Sequence, residues 1–413
     1  MNSERLLERF LRYVQIDTTA RDGAEQYPSS PGQLELGRLL VEELKAMGLD
    51  DARQDEHGIV LATVPGNTAE PRPTIAFCAH LDTSPETPGA GVKPQVIRGY
   101  PGGDLALPGD PEQVIRTTEN PELDRLTGCT LITSDGTTLL GADAKAGVAA
   151  IMEAVATLVE EPQRRHGPVR AVFTCDEEIG RGVDKLDLEE IGAAVCYTLD
   201  GQGADTIDVE TFSANEAVLT VRGVNVHPSI AKGRMTNAVR AAADFLGRLP
   251  RENLSPETTE ERQGFLHPYE IRGGVAEVRL RIILRDFDAA NLDYQAELLR
   301  VAAEATMRHF PRAKIDVDVR KQYRNVAEGL AREPRAVALA EEALRRLGRT
   351  PKRTMVRGGT DGSRLTELGL PTPNLATGQH TPHSPLEWAC LEEMAGAAEW
   401  IVSLAEVWGE AGQ

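Results

Sequence analysis

The chain has 413 residues, of which 41% are hydrophobic, and its 64 Asp and Glu outnumber its 45 Lys and Arg for a formal net charge of -19. This length predicts two domains, each with its own hydrophobic core. The acidic charge argues against nucleic acid and against an anionic membrane surface as partners. The sequence contains no apolar run long enough to span a bilayer and no apolar core of an export signal near its start. We therefore expect a soluble, cytoplasmic protein.

The five cysteines stand singly at positions 78, 129, 175, 196 and 390. Three of them lie inside apolar, strand-like runs, which is typical of buried, reduced thiols in a cytoplasmic protein. None has the CxxC spacing that would suggest a sulfur metal site. The sequence therefore predicts free thiols and no metal site with sulfur ligands.

The first 200 residues alternate between helical and strand-like patterns. Apolar residues recur at helical spacing over 6–14 and 36–47, and Gly48 ends the second of these helices. The elements predicted next are strands 59–64 and 74–79, helix 144–158, and strands 169–174 and 193–199. This alternation of helices with buried strands favours an α/β domain with a mostly parallel sheet.

Residues 85–128 are rich in Gly and Pro and are predicted to form a long surface excursion. A hairpin over 130–140, turned at Ser134-Asp135-Gly136, is predicted to close this excursion. The same hairpin would bring the chain back to Asp143.

From about Phe212 the pattern changes to short alternating elements. The elements predicted here are strand 217–222, helix 236–249, strand 276–284, helix 289–310 and strand 315–319. The alternating pattern of strand 276–284 predicts that one of its faces is exposed to solvent. After Tyr323 the chain returns to α/β style, with helices 335–347 and 391–407. We therefore predict a larger α/β domain made of 1–211 and 325–413, with a smaller α+β domain, 212–324, inserted in it. Because the sheet of the inserted domain is half-exposed, it could pair with a second copy to form a homodimer or simply face water.

Metal-type ligands stand at the ends of four successive strand-like units of the larger domain and in one late loop. They are His80, Asp82, Asp143, Glu177, Glu178, Asp200 and His383, with His380 as the rival for the last position. This placement suits the rule that α/β sheets bind ligands beyond the carboxyl ends of their strands. Two imidazoles and three carboxylates suit a pair of divalent ions such as zinc, with one carboxylate bridging, and leave Glu177 as a free base.

Each of these motifs also has an ordinary structural explanation when it is taken alone. A His beside an Asp at a strand end, as in His80-Leu81-Asp82, is most often a local polar pair. Asp143 can cap the helix that follows it, and Asp200 can be a turn residue. The motifs point to a metal site because they occur together, at corresponding places in successive units.

Motifs that carry a family resemblance are spread over the whole chain. They are Ala79-His80-Leu81-Asp82-Thr83-Ser84-Pro85, Gly102-Gly103-Asp104, Leu140-Gly141-Ala142-Asp143, Asp176-Glu177-Glu178-Ile179-Gly180, Tyr197-Thr198-Leu199-Asp200-Gly201, Val226-His227-Pro228, Ala231-Lys232-Gly233, Arg285-Asp286-Phe287-Asp288 and Arg357-Gly358-Gly359-Thr360-Asp361-Gly362. With them the chain resembles the peptidase T family, the tripeptide aminopeptidases of the di-zinc metallopeptidase clan that also contains carboxypeptidase G and the acyl-amino-acid deacylases.

The resemblance implies a role for each metal-type ligand. The bridging ligand between two zinc ions would be Asp143, with His80 and Asp200 on one ion and Glu178 and His383 on the other. His383 is preferred to His380 because its distance to Leu391-Glu392 matches the family. Glu177 would be the general base, and Asp82 would orient His80.

The resemblance also implies substrate-binding residues. His227, on the inserted domain, would reach over the metals to the scissile carbonyl. Arg285 and Arg357 would anchor a substrate carboxylate, and Asn325 would line the same cleft. The inserted domain would then act as a lid on a zinc-peptidase catalytic domain.

The implied activity is the release of the N-terminal residue from tripeptides by a metal-bound hydroxide, as part of peptide catabolism. Small peptides are the expected substrates, and the same ligands also accept manganese or cobalt. Ala144 replaces a second acid that the family often has at this position. Residues 379–382 also differ from the family's usual sequence, and this second difference leaves the peptide preference open. The alternatives are an amidase, deacylase or carboxypeptidase of the same clan, or a silent metal-binding or peptide-binding scaffold.

Overall fold

The computed structural model describes residues 1–411 and divides the chain into two compact units. The larger unit comprises Met1–Val209, Glu328–Thr354 and the chain from Thr360 onward, and the smaller comprises Glu210–Ala327 and Met355–Gly359. The inserted segment thus begins two residues before, and ends three residues after, the predicted 212–324. Met355–Gly359, which the sequence placed in the larger domain, belongs to the smaller unit because Phe212 donates its N–H to the carbonyls of Val356 and Gly358.

The helices are numbered in chain order. They are α1 Ser3–Val14, α2 Pro31–Ala46, α3 Ala142–Glu160, α4 Leu188–Ile191, α5 Ala238–Gly247, α6 Ala289–His309, α7 Ala327–Leu330, α8 Arg335–Arg346, α9 Asp361–Glu367 and α10 Leu391–Glu410. Short 3-10 turns lie at Pro121–Arg125, Glu177–Ile179, Pro228–Ile230 and Pro256–Thr258. Within residues 1–411, none of the helices combines the length and the apolar character that crossing a bilayer requires.

The strands are β1 Arg53–Gln54, β2 Val60–Val64, β3 Ile75–His80, β4 Gln95–Ile97, β5 Leu105–Leu107, β6 Asp110–Ile115, β7 Leu131–Thr133, β8 Val169–Thr174, β9 Val195–Gln202, β10 Thr206–Thr211, β11 Ser213–Arg222, β12 Phe265–Gly273, β13 Glu277–Asp286, β14 Lys314–Tyr323, β15 Lys352–Val356, β16 Asn374–His380 and β17 Trp388–Cys390.

The main sheet has a parallel centre. It has eleven strands, nine of them in the order β1-β2-β8-β3-β9-β16-β17-β7-β4. Neighbours from β8 to β16 are parallel, whereas β2, β17, β7 and β4 pair antiparallel. The central strands are buried apolar runs, as expected for strands covered on both faces. The predicted α/β fold is confirmed, and its parallel part is this four-stranded centre.

Helix α3 lies at the core of the larger unit. It packs against β3, β9 and β16 and against α1 and α10. Residues 144–158 of this helix are all buried. Because many of them are alanines, neighbouring backbones can approach the helix closely on all sides. Because the parallel strands all run one way, their carboxyl ends gather at one edge of the sheet, beside the start of α3.

The predicted hairpin over 130–140 is wrong. Only β7 forms in this segment, and it pairs with β17 and β4 rather than with a strand after the turn. The Ser134-Asp135-Gly136 turn exists, with Asp135 accepting the N–H of Thr137. The local pattern therefore identified the turn correctly, but the strand partners lie far away in the sequence, where no local pattern can indicate them.

The smaller unit is an antiparallel sheet with two helices. Its strand order is β12-β13-β11-β14, and α5 and α6 pack on it through a core that includes Leu219, Phe245, Leu280 and Leu299. Along β13, buried and more exposed residues alternate at every position. This period of two confirms that one face of the sheet packs on the helices while the other is more exposed.

Candidate metal centre

The five predicted metal ligands converge within the larger unit. His80 Nε2 lies 3.1 Å from Asp143 Oδ1 and 3.5 Å from Asp200 Oδ1. His383 Nε2 lies 3.4 Å from Asp143 Oδ2 and 3.0 Å from Glu178 Oε2. These contacts form two groups of three ligands, one with His80 and Asp200 and the other with Glu178 and His383, which share Asp143.

Local structure aims each ligand at this point. His80 is the last residue of β3, Asp200 lies near the end of β9, and Glu178 lies in the 3-10 turn that follows β8. Asp143 lies at the start of α3 with non-helical backbone angles (φ -80°, ψ 109°), and no side chain caps this helix. Asp143 therefore serves the ligand cluster and does not cap the helix.

The spacing of the ligand atoms fits metal ions. Within each group the ligand atoms lie within 4.8 Å of one another. In a tetrahedral zinc site with bonds of about 2.0–2.1 Å, ligand atoms are separated by about 3.3 Å. In addition, Glu178 Oε1 and Asp200 Oδ1 are buried without a hydrogen-bond partner among residues 1–411. Such unsatisfied acceptors are costly unless a cation completes them, so the donor set suits two divalent ions.

Burial and mutual repulsion disturb the titration of these groups. Burial and the charge of Asp143 raise the pKa of Asp200 to about 8 and that of Glu178 to about 7. Burial alone would lower the pKa of His80, but the adjacent carboxylates of Asp143, Asp200 and Asp82 raise it well above its usual value. The metal-free centre thus retains protons at neutral pH, and metal binding would release them.

Glu177 stands beside the ligands without belonging to either group. Its side chain is half-buried, and burial, partly offset by His80, raises the pKa of its carboxyl well above the usual value. A carboxylate that is close to the ligands, free of them and more basic than usual is placed to act as a proton acceptor.

Asp82 links the segment that follows β3 to the turn that carries Glu177 and Glu178. Its two carboxylate oxygens accept the backbone N–H groups of Glu177 and Glu178, each at 3.0 Å. His80 Nδ1 lies 3.0 Å from the main-chain oxygen of Asp82 and 3.5 Å from its Oδ1. The sequence assigned Asp82 to orienting His80; in the structure its backbone carbonyl is nearer to that ring, while the carboxylate fixes the Glu177-Glu178 turn.

Sequence reasoning missed two buried acids that hold the ligand loops. The carboxylate of Glu387 accepts the N–H groups of Leu140, Gly141 and Asp143 at 2.7–2.9 Å. Asp176 accepts the N–H of Ser29 at 2.8 Å and the side-chain amide of Gln33 at 2.7 Å. In the sequence, Glu387 is visible only as an acid just before the apolar strand β17. Asp176 is visible only as an acid just before Glu177 and Glu178.

His380, the rival of His383, is engaged elsewhere. Its Nε2 lies 2.7 Å from Glu393 Oε2 and its Nδ1 lies 3.4 Å from Glu122 Oε1. Its ring stacks on Trp388 with a centroid distance of 3.7 Å. Because carboxylates face both ring nitrogens, neither is directed at the metal-type ligands.

The remaining predicted residues lie in the smaller unit. His227 is exposed, and its Nδ1 lies 2.7 Å from Ser229 Oγ. Asn325 uses its side-chain amide within this unit, accepting the N–H groups of Thr211 and Ala327 and donating to the carbonyl of Phe287. These bonds give Asn325 a structural role.

The two predicted arginines of this unit differ in how their donors are used. Arg285 lies over the ring of Tyr323 at 4.8 Å, and its Nη1 has no hydrogen-bond partner among the described residues. Burial lowers the pKa of Arg285 to about 10. Arg357 stacks on Phe212 and Phe265 and donates to Thr259 Oγ1 at 2.9 Å.

Comparisons with known proteins agree with the predicted resemblance. The sequence profile of "Peptidase family M20/M25/M40" matches residues 135–407. Peptidase T of Geobacillus thermodenitrificans is 43% identical over 404 residues, covering 98% of both chains. The crystal structure of aminopeptidase PepT from Bacillus cereus is similar with a TM-score of 0.75 and 27% identity, covering 99% of this chain and 100% of the other. A Bacillus subtilis protein described as a dinuclear metal binding peptidase shares the fold, with a TM-score of 0.64 and 16% identity over 98% of each chain.

Proposed function

Because the chain belongs to peptidase family M20/M25/M40, we propose that it is a metallo-aminopeptidase that uses two zinc ions to release the N-terminal residue of tripeptides. The observation that carries the proposal is the pair of ligand groups that share Asp143 while Glu177 stays outside both. The 43% identity to a peptidase T over nearly the whole chain supports the tripeptide as substrate.

The ligand groups and Glu177 divide the chemistry between them. When bound, the two ions held by the groups around Asp143 would lower the pKa of water and polarise the peptide carbonyl. Glu177 takes the proton from the attacking water and passes it to the nitrogen of the leaving amine. Its raised pKa suits this task, since a carboxylate that is more basic than usual accepts a proton more readily.

Two side chains of the smaller unit are proposed to bind the substrate. His227 offers its second ring nitrogen for the oxygen of the scissile carbonyl, because Ser229 occupies the first. Arg285 is a better candidate than Arg357 for the substrate carboxylate, since Arg285 Nη1 lacks a partner within residues 1–411, whereas Arg357 already bonds to Thr259 and Glu261.

Zinc and a cytoplasmic location belong to the same proposal. Imidazole and carboxylate ligands suit zinc, and manganese and cobalt as close alternatives. All five cysteines are free thiols, which is usual in a reducing compartment.

The test is a substrate panel with the zinc-loaded protein. The panel contains a free tripeptide, the matching dipeptide, the N-acetylated tripeptide and an N-acetyl amino acid, with Glu177→Ala as the inactive control. Release of the N-terminal residue from the free tripeptide, lost in the control, is the expected result. Preference for an acetylated substrate would identify a deacylase instead. A wild-type protein that binds zinc and cleaves nothing would identify a silent scaffold.

A further inference from the structure

The fold brings two cysteines together at a second place in the larger unit. Cys129 precedes β7, and Cys390 ends β17, the strand that pairs with β7. Their sulfur atoms and a carboxylate oxygen of Glu392 all lie within 4.8 Å of one another. Cys390 Sγ lies 3.5 Å from Glu392 Oε2. None of these three residues belongs to the centre around Asp143.

Backbone hydrogen bonds fix the frame that carries these side chains. Leu391 donates its N–H to the carbonyl of Thr130 at 2.9 Å, and Thr130 donates its N–H to Glu392 Oε2 at 2.8 Å. Cys129 is bonded on both sides, through its N–H to Leu126 and through its carbonyl to Tyr100. The two segments are thus held side by side before any ligand arrives, and such preorganisation reduces the cost of binding.

The donor chemistry suits a thiophilic cation. Two thiolates and a carboxylate are a normal partial ligand set for zinc, which takes four ligands with zinc–sulfur bonds of about 2.3 Å. That geometry separates two sulfur atoms by about 3.8 Å, which is within the span of this cluster. Cys390 is buried, whereas Cys129 is half-buried and Glu392 is exposed, so an ion can enter from solvent and keep a water as its fourth ligand.

Protonation and helix geometry set the conditions for binding. Burial raises the pKa of both thiols, so a metal has to displace their protons. Cys390 is also the N-cap residue of the 20-residue helix α10, with no side chain capping that end, and the positive end of a helix favours a thiolate. Cys78 and Cys196 make a useful contrast, since both lie buried in adjacent strands of the main sheet and belong to none of the candidate ligand groups within residues 1–411.

We propose that Cys129, Cys390 and Glu392 form a binding site for one thiophilic divalent cation, of the zinc and cadmium class, separate from the pair of ions at Asp143. The sequence predicted no sulfur metal site because the two cysteines stand far apart in the chain. The proposal does not depend on the peptidase activity.

Cobalt is the probe that tests this site. Thiolate ligands give bound Co²⁺ a near-ultraviolet charge-transfer absorption, which the oxygen and nitrogen ligands of the other centre do not produce. Metal-free protein, kept reduced with a phosphine, is titrated with Co²⁺ as wild type, Cys129→Ser, Glu392→Gln and the matched thiol control Cys196→Ala. Bound cobalt is counted by equilibrium dialysis.

The expected result is a thiolate band that saturates with one ion in wild type and in Cys196→Ala. The band should be absent in Cys129→Ser, which should bind one ion fewer, and Glu392→Gln should need about 10-fold more cobalt to reach it, as for a lost supporting ligand. Absence of the band in wild type at saturation, or its persistence in Cys129→Ser, would overturn the proposal. Because the readout is spectroscopic, it stands apart from the outcome of the peptide assay.

Discussion

Two of the acidic side chains on helix α3, Glu153 and Asp143, have opposite electrostatic surroundings. Glu153 is fully buried, and its carboxylate accepts hydrogen bonds from the guanidinium groups of Arg5 and Arg9 and from the N–H of Asn2. The chain itself therefore supplies the positive charge that this acid needs. Ten residues earlier, Asp143 lies among further carboxylates, and the positive groups that contact this cluster within residues 1–411 are two imidazoles.

The difference separates an acid that stabilises the fold from an acid that is a candidate metal ligand. Every buried charge needs compensation, because desolvation otherwise exceeds the gain from folding. At Glu153 the compensation is internal and permanent. At Asp143 it is incomplete, with oxygens of Glu178 and Asp200 left without a hydrogen bond within the described chain, so it has to be completed by protons or by ions that bind from outside. Buried acids that lack a partner cation are therefore the better indication of a binding site.

The largest expected effect comes from replacing Glu177 with Gln, which keeps the shape of the side chain but removes its ability to accept a proton. We expect kcat/KM on the tripeptide to fall by about 10²–10⁴-fold, the usual contribution of a general base. Metal content should equal that of wild type, since Glu177 belongs to neither ligand group. Steady-state kinetics and metal analysis check this, and a fully active variant would contradict the assignment.

The stability of the same variant sharpens the comparison. Burial raises the pKa of Glu177 above its unfolded value, so its ionisation costs folding free energy once the pH exceeds the ordinary Glu pKa of about 4.3. Removal of this charge should leave the metal-free protein equally stable or more stable at pH 7. A clear loss of thermal stability would mean that Glu177 acts as a structural acid like Glu153.

The second prediction concerns Glu153→Gln, which breaks the internally compensated cluster. With the charge removed, Arg5 and Arg9 lose their buried partner, and we expect a loss of about 3–5 kcal/mol in unfolding free energy, measured by urea denaturation. Glu160→Gln is the matched control on the same helix, since Glu160 pairs with Arg5 at the surface and should cost less than about 1 kcal/mol. Equal losses in the two variants would contradict the comparison.

Local sequence patterns predicted the centre of the larger unit well, because its elements form from neighbouring residues. The strands that became β3, β8 and β9 are continuous apolar runs, and α3 and α10 have clear helical patterns. The pattern over 130–140 failed because β7 pairs with β17, which lies at the other end of the chain. Strand pairing over such distances depends on the tertiary fold and not on any local signal.

The candidate site divides in the same way, into features that local motifs reveal and features that only the tertiary fold creates. Its five candidate ligands were predicted from motifs, since acids and histidines at strand ends and in loops are visible in sequence. Glu387 was missed because its three partners are backbone N–H groups of a loop far away in the chain. The proximity of Cys129 and Cys390 was missed for the same reason, because it arises from the pairing of β7 with β17.

The third prediction is that Glu387→Gln weakens metal binding by about 10- to 100-fold, as expected for a residue that positions a ligand. The amide of Gln would place its own donors against the N–H groups of Leu140, Gly141 and Asp143, which now bond to a carboxylate. Competition with a chelator measures the affinity, and Glu406→Gln, at a surface pair with Arg164, is the control. Unchanged affinity would show that the Asp143 loop holds its place without Glu387.

The smallest expected effect is at His380, the imidazole that is compensated internally in the manner of Glu153. Burial alone would lower the pKa of His380, but Glu122 and Glu393 raise it above the usual value. Since the folded pKa exceeds the unfolded one of about 6.5, the protonated ring stabilises the fold fully below that pH, and this contribution is lost as the pH rises through the folded pKa. His380→Gln should therefore lose more stability at pH 5.5, about one unit below the unfolded pKa, than at alkaline pH.

Urea midpoints across the pH range measure this difference, and parallel curves for variant and wild type would show that the ring is neutral. The imidazoles of His80 and His383 titrate in both proteins, so the difference between the curves isolates His380.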